Sequence, residues 1–98
     1  MALFVIERGF ADQLELDQDG VAGTVDYNDN HELRWLFSFL SADRKKTYCL
    51  YEAPNAEALL QQAADLGLPA DAIVEVSEIN PNMFTTGQSV SGHLSAGS

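Results

Sequence analysis

Apolar residues bunch into short runs at the start, middle and end of the chain, and recur at helical spacing between them. Leu3-Phe4-Val5-Ile6 is aromatic and β-branched, so Ala2 to Arg8 reads as a strand that Gly9 ends. A second run begins near Leu33 and predicts a strand through Trp35 to Leu40. Ser41-Ala42-Asp43-Arg44 reads as a turn and Thr47 to Tyr51 as the next strand; so short a link implies an antiparallel hairpin. Ile73 to Ile79 alternates apolar with polar residues and predicts the last strand.

The intervening segments read as helices. Asn55 is a good N-cap, Glu57 suits the positive helix end, and Ala56, Leu59, Leu60 and Ala63 form a stripe. Gly67 is placed to close this helix, with Pro69 just beyond. Between Ala11 and Asn30, Leu14, Val21, Val25 and Asn28 share a helical face, which predicts another helix. Gly20 and Gly23 oppose it by about 1 kcal/mol each relative to alanine. Small residues there would let such a helix lie close on a sheet.

Strand–helix–strand–strand–helix–strand is the split βαβ order. The expected class is therefore α+β: a ferredoxin-like βαββαβ domain over residues 1–79, with a four-stranded antiparallel sheet. Right-handed crossovers put both helices on one sheet face. Residues 80–98 are rich in Ser, Gly, Thr and Asn and read as a tail. It is expected either to be flexible or to pack Met83 and Phe84 on a partner subunit.

Strict alternation along the strands gives two sets of side chains. Phe4, Ile6, Leu36, Leu40, Tyr48, Leu50, Val74 and Val76 are expected beneath the helices. The opposite set holds Glu7, Trp35, Phe37, Phe39, Cys49, Tyr51 and Glu75. Aromatics mixed with carboxylates, a thiol and a phenol suit a partly enclosed ligand pocket, or a dimer interface with solvated carboxylates at its rim.

Charge narrows the partners. The 98 residues carry a net charge of -10 and only five cations, Arg8, Arg34, Arg44, Lys45 and Lys46. Polyanion binding needs several cations, so neither nucleic acid nor an anionic membrane is an expected partner. Acidity suits metal cations, although its commonest meaning is solubility. A single cysteine excludes an intrachain disulfide and an all-thiolate zinc site, and points to the cytoplasm. A small domain also gains core by pairing with its own copy, so a homodimer is expected.

By residue type, Glu7, His31, Cys49 and Tyr51 are candidate metal ligands. They have no compact spacing, so a site would be assembled across strands or subunits. Glu15-x-Asp17-x-Asp19-Gly20-x5-Asp26 resembles a calcium loop but has Glu first and Asp last, the reverse of the signature. A solvated helix face accounts for these acids better. Glu7 as base with Tyr51 as acid is chemically reasonable in a pocket. Cys49 as nucleophile needs a base, and His31 is the imidazole at hand.

Phe4-Val5-Ile6-Glu7-Arg8, Arg34-Trp35-Leu36-Phe37-Ser38-Phe39, Tyr48-Cys49-Leu50-Tyr51-Glu52-Ala53-Pro54 and Gly67-Leu68-Pro69-Ala70-Asp71 together resemble the DUF4242 family of small bacterial proteins, some described as nickel-binding. The resemblance covers residues 2 to 79. It implies a ferredoxin-like homodimer that binds Ni2+ or another divalent transition metal, with Glu7, Cys49 and Tyr51 matching the family pattern. One departure matters: members often carry histidine where this chain has Phe37, and a phenyl ring cannot ligate a metal. The leading expectation is a dimeric binding protein for a transition metal. The alternative is a small ferredoxin-like enzyme or binder that holds an organic molecule on the bare sheet face.

Overall fold

A computed structural model describes residues 1–84. Four antiparallel strands form one sheet: β1 (Ala2–Gly9), β2 (Arg34–Leu40), β3 (Lys46–Ala53) and β4 (Ala72–Val76). Their spatial order is β2-β3-β1-β4. Two helices, α1 (Gln18–Asn30) and α2 (Ala56–Leu66), are the crossovers. This is the ferredoxin-like α+β fold that the element order implied.

Helix α2 follows its local signals. The Asn55 side chain accepts from Ala58 N–H at 2.9 Å, and Gly67 adopts the left-handed conformation with φ 66°. Leu59 is fully buried. Leu60, grouped with it in the stripe, is half exposed and lies outside the core.

Helix α1 starts later than the expected Ala11. Phe10 to Asp17 runs as an irregular strap tied to the hairpin turn: Phe10 N–H donates to Lys45 O and Leu14 N–H to Arg44 O, each at 2.7 Å. Asp17 then caps the helix, its carboxylate accepting from Gly20 N–H at 2.6 Å. Strand β4 ends at Val76, paired with Leu3, short of the expected Ile79.

The sheet faces differ from the expected sets in three places. Directly paired antiparallel residues share a face. Ile6 pairs with Cys49 and Phe4 with Tyr51, so Cys49 and Tyr51 lie beneath the helices with the core, while Tyr48 and Leu50 face away. Phe4 also pairs with Glu75 and Val5 with Val74, which puts Glu75 at the exposed edge of the helix side. On β2 the register slips between Trp35 and Phe37: Trp35 meets Tyr51 whereas Phe37 meets Leu50. Two β2 steps thus match one β3 step, a bulge that inserts Leu36. Trp35 therefore points to the helices, and Phe37 and Phe39 to the bare face.

The core comprises Phe4, Ile6, Leu33, Cys49, Tyr51, Ala53 and Leu59, with Trp35 and Ile73 packed against it. Beyond β4, Pro81–Met83 forms a single 3-10 turn. Residues 85–98, most of the expected tail and including His93, lie outside the described residues.

Candidate functional site

Beneath the helices a chain of buried polar groups links β1, β3, α1 and α2. Arg8 follows Phe4 and Ile6 by twos, so β1 directs it inward, where it is only 3% exposed. Its Nη1 donates to Pro69 O at 2.7 Å and its Nη2 to Gln62 Oε1 at 2.8 Å. Gln62 Nε2 donates to Asn28 Oδ1 at 2.7 Å and to Tyr51 Oη at 2.9 Å. Asn28 Nδ2 donates to the same phenol at 3.3 Å. Burying polar groups is tolerable when each has a partner, and this network meets that need.

Next to it opens a cavity of about 260 Å3 between the β2–β3 half of the sheet, the strap and the first turns of α1. Trp35, Cys49 and Tyr51 form part of its sheet side, Leu14 and Val21 part of its roof, and Arg8 reaches its wall. The cavity follows from the sequence of α1. Gln18-Asp19-Gly20-Val21-Ala22-Gly23 offers little apolar bulk, and Asn28 is the one residue of α1 that is fully buried. A helix with small residues there leaves the space beneath it unfilled.

The bare face is a different environment. Glu7 pairs there with Lys46, Oε2 to Nζ at 2.8 Å. That hydrogen bond, and then the carboxylate's charge, raise the Lys46 ammonium above its usual value. Phe37 and Phe39 meet edge to face at 5.5 Å. They are 51% and 65% exposed, and Val74 on the same face is 54% exposed.

The expected pocket set is thus divided between the two faces. Trp35, Cys49 and Tyr51 remain together, but under the helices; their rings stack at 6.4 Å in the case of Trp35 and Tyr51. Glu7, Phe37 and Phe39 remain together on the other side, and Glu75 stands apart at the β4 edge. Glu7 and Tyr51 are therefore no acid–base pair. Cys49 has Thr47 Oγ1 as its polar neighbour, at 3.6 Å, and no histidine lines the cavity, so a base for thiolate formation is lacking there.

His31 sits at the C-terminal end of α1. Its ring stacks on Tyr27 at 3.8 Å, and Nδ1 meets Tyr27 O at 2.8 Å, which leaves Nε2 for another partner. The Asp65 carboxyl lies near His31. Arg8, Gln62 and Asn28 were not singled out as site residues from sequence. The signal for Arg8 was its period-two spacing from Phe4 and Ile6; Gln62 lies one helical turn from Leu59.

The family model described as nickel responsive protein SCO4226-like matches residues 4–76. The chain belongs to that family. The expected nickel connection thus holds at the level of family, under this description. Among solved structures, the crystal structure of SCO4226 from Streptomyces coelicolor A3(2) superposes with a TM-score of 0.69 and 22% identity, over 81% of this chain and 100% of that one. Curated proteins give no match.

Membership of the SCO4226-like family makes metal ligation the test of the donor set. Among the described residues no three His, Cys, Asp or Glu side chains group closely enough to hold an ion. Glu7 is held by Lys46, Tyr51 by the buried network, Cys49 lies under the helices, and His31 is at the far end of α1. The described residues of one chain do not fit a closed metal centre. Among the described residues no helix is long and apolar enough to cross a membrane.

Proposed function

We propose that this chain is a homodimeric transition-metal-responsive protein, with nickel the first candidate metal, and that any metal is held by donors from two copies. Family membership supports the metal. The observation that carries the dimer is the bare sheet face, where Phe37, Phe39, Val74 and Tyr48 are all exposed. Contiguous apolar surface of this kind marks an interaction site. The Glu7–Lys46 pair on the same face suits pairing about a twofold axis, because each copy offers both charge signs. Glu7 and the free Nε2 of His31 are the donors best placed to meet a second copy or solvent-borne metal. The lone buried Cys49 suits a reducing compartment, the cytoplasm.

Light scattering on the tag-free chain, with nickel calorimetry on the wild type and on Phe39→Lys, tests both parts. A dimer that Phe39→Lys dissociates, with nickel heat lost alongside, is the expected result. A monomeric wild type, or nickel binding that persists in Phe39→Lys or in the Glu7→Ala/His31→Ala double variant, overturns the proposal.

A further inference from the structure

Among the described residues the Arg8 guanidinium is a buried cation without a counter-ion. Among the described residues its side chain makes no ion pair; it donates to two neutral carbonyl oxygens, of Pro69 and Gln62. Every aspartate and glutamate of the chain falls within residues 7–78, so residues 85–98 supply no carboxylate side chain either. Buried charges are ordinarily paired, because neutral dipoles only partly replace the water they lose. Arginine also keeps its charge and presents five N–H donors in a planar fork that matches a carboxylate.

Arg8 lines the cavity of about 260 Å3, whose other walls are mostly apolar: Leu14, Val21, Trp35 and Leu40 among them. A mostly apolar cavity with one cationic residue in its lining is the pattern of a site for an amphiphilic small molecule. Its volume falls just below the usual range of about 300–1,000 Å3, so the occupant is compact. Two acids, Glu15 and Asp17, also line the cavity. The Asp17 carboxylate is engaged in capping α1, and Glu15 is exposed. They disfavour polyanions, so a single negative charge is the better complement to the one cation.

We infer that the helix-side cavity binds a small organic monocarboxylate, its carboxylate on Arg8 and its apolar body against Trp35 and Val21. The site is separate from the metal reading: it lies on the opposite face of the sheet from Glu7 and involves one chain. Gln62 is a positioning residue. Its Nε2 is committed to Asn28 and Tyr51, which turns Oε1 toward Arg8 and fixes the guanidinium.

Trp35 is the sole tryptophan and lines the cavity, so its fluorescence reports occupancy. The experiment titrates the full-length chain with phenylacetate and, as the neutral isostere, phenylacetamide. Saturable change with phenylacetate, and binding of the amide weaker by at least about tenfold, is the expected outcome. Arg8→Gln should abolish that preference for the acid. Should Arg8→Gln fail to fold, Val21→Phe, which fills the cavity and leaves Arg8 intact, should remove phenylacetate binding while circular dichroism stays native. Equal affinity for acid and amide, binding unchanged in either folded variant, or no saturable signal up to roughly 10 mM phenylacetate overturns the inference.

Discussion

Trp35 and Phe37 stand two residues apart on β2 and project to opposite faces of the sheet. Leu36 between them is the extra residue of a bulge, which shifts the register against Tyr51 and Leu50. Deleting Leu36 should therefore leave a regular ladder with both rings on their present faces. Cooperative unfolding with a loss below about 2 kcal/mol, and unchanged Trp35 emission, is the expected result. Deleting Ser38 should behave oppositely. It lies where pairing is regular, so its removal turns Phe39 inward and Leu40 outward and should prevent folding.

Gln62 serves Arg8, Asn28 and Tyr51 at once and is wholly buried. Gln62→Leu leaves three polar partners short of a bond, one of them charged. Denaturant unfolding should show a loss of about 3 kcal/mol or more. Tyr51→Phe removes only the shared acceptor and should cost about 1–2 kcal/mol.

Opposite results are expected at two glycines. A Cβ on Gly23 would meet nothing within 4 Å, and the residue is in the interior of α1, so Gly23→Ala should stabilise by about 0.5–1 kcal/mol. Gly67 closes α2 with φ +66°, so Gly67→Ala should destabilise by about 1 kcal/mol even though space is available. Thermal melts of the two variants should move in opposite directions.

Tyr27 donates its hydroxyl to Asp65 Oδ2 at 2.5 Å, tying α1 to α2. That bond, reinforced by one from Gln61, holds the Asp65 carboxyl below its ordinary value. The same bond pushes Tyr27 up to about 12, burial and the Asp65 charge adding to it. A depressed acid contributes stability above its unfolded value near pH ~4 and loses it as pH falls through the folded one. A raised phenol contributes below its unfolded value near pH ~10 and loses the contribution as pH rises through about 12. The tie should thus be fully present between those limits and fade on both sides. Both groups are at the surface, so the effect is small. Tyr27→Phe should flatten both flanks in stability measured across pH, and should remove the late phase of phenolate absorbance.

Local signals were legible where a single residue decides the backbone. Asn55 and Gly67 bound α2 as their chemistry requires, and the element order carried the fold. Face assignment was less so, because both parities of β3 are apolar: Tyr48 and Leu50 compete evenly with Cys49 and Tyr51, and only pairing with Ile6 and Phe4 decides. The bulge at Leu36 has no local marker, since neither glycine nor proline accompanies it. The start of α1 was misplaced because Leu14 fits a helical stripe, yet its N–H is taken by Arg44 O and the Asp17 cap lies three residues on. Arg8 was read only as one of five cations, whereas its parity with Ile6 sends it inward.

The strand order is also a timetable for synthesis. β1 lies in the middle of the sheet, yet it precedes both its neighbours in the chain: Leu3 is paired with Glu52 on one side and Val76 on the other. At translation rates of about 5–20 residues per second, the second partner follows roughly 4 to 15 s later. Until β3 emerges Leu3-Phe4-Val5-Ile6 has no native partner, and until β4 follows it keeps one edge unpaired. On the ribosome the most apolar segment of the nascent chain is therefore the one that waits longest, which makes it the segment for a chaperone to cover.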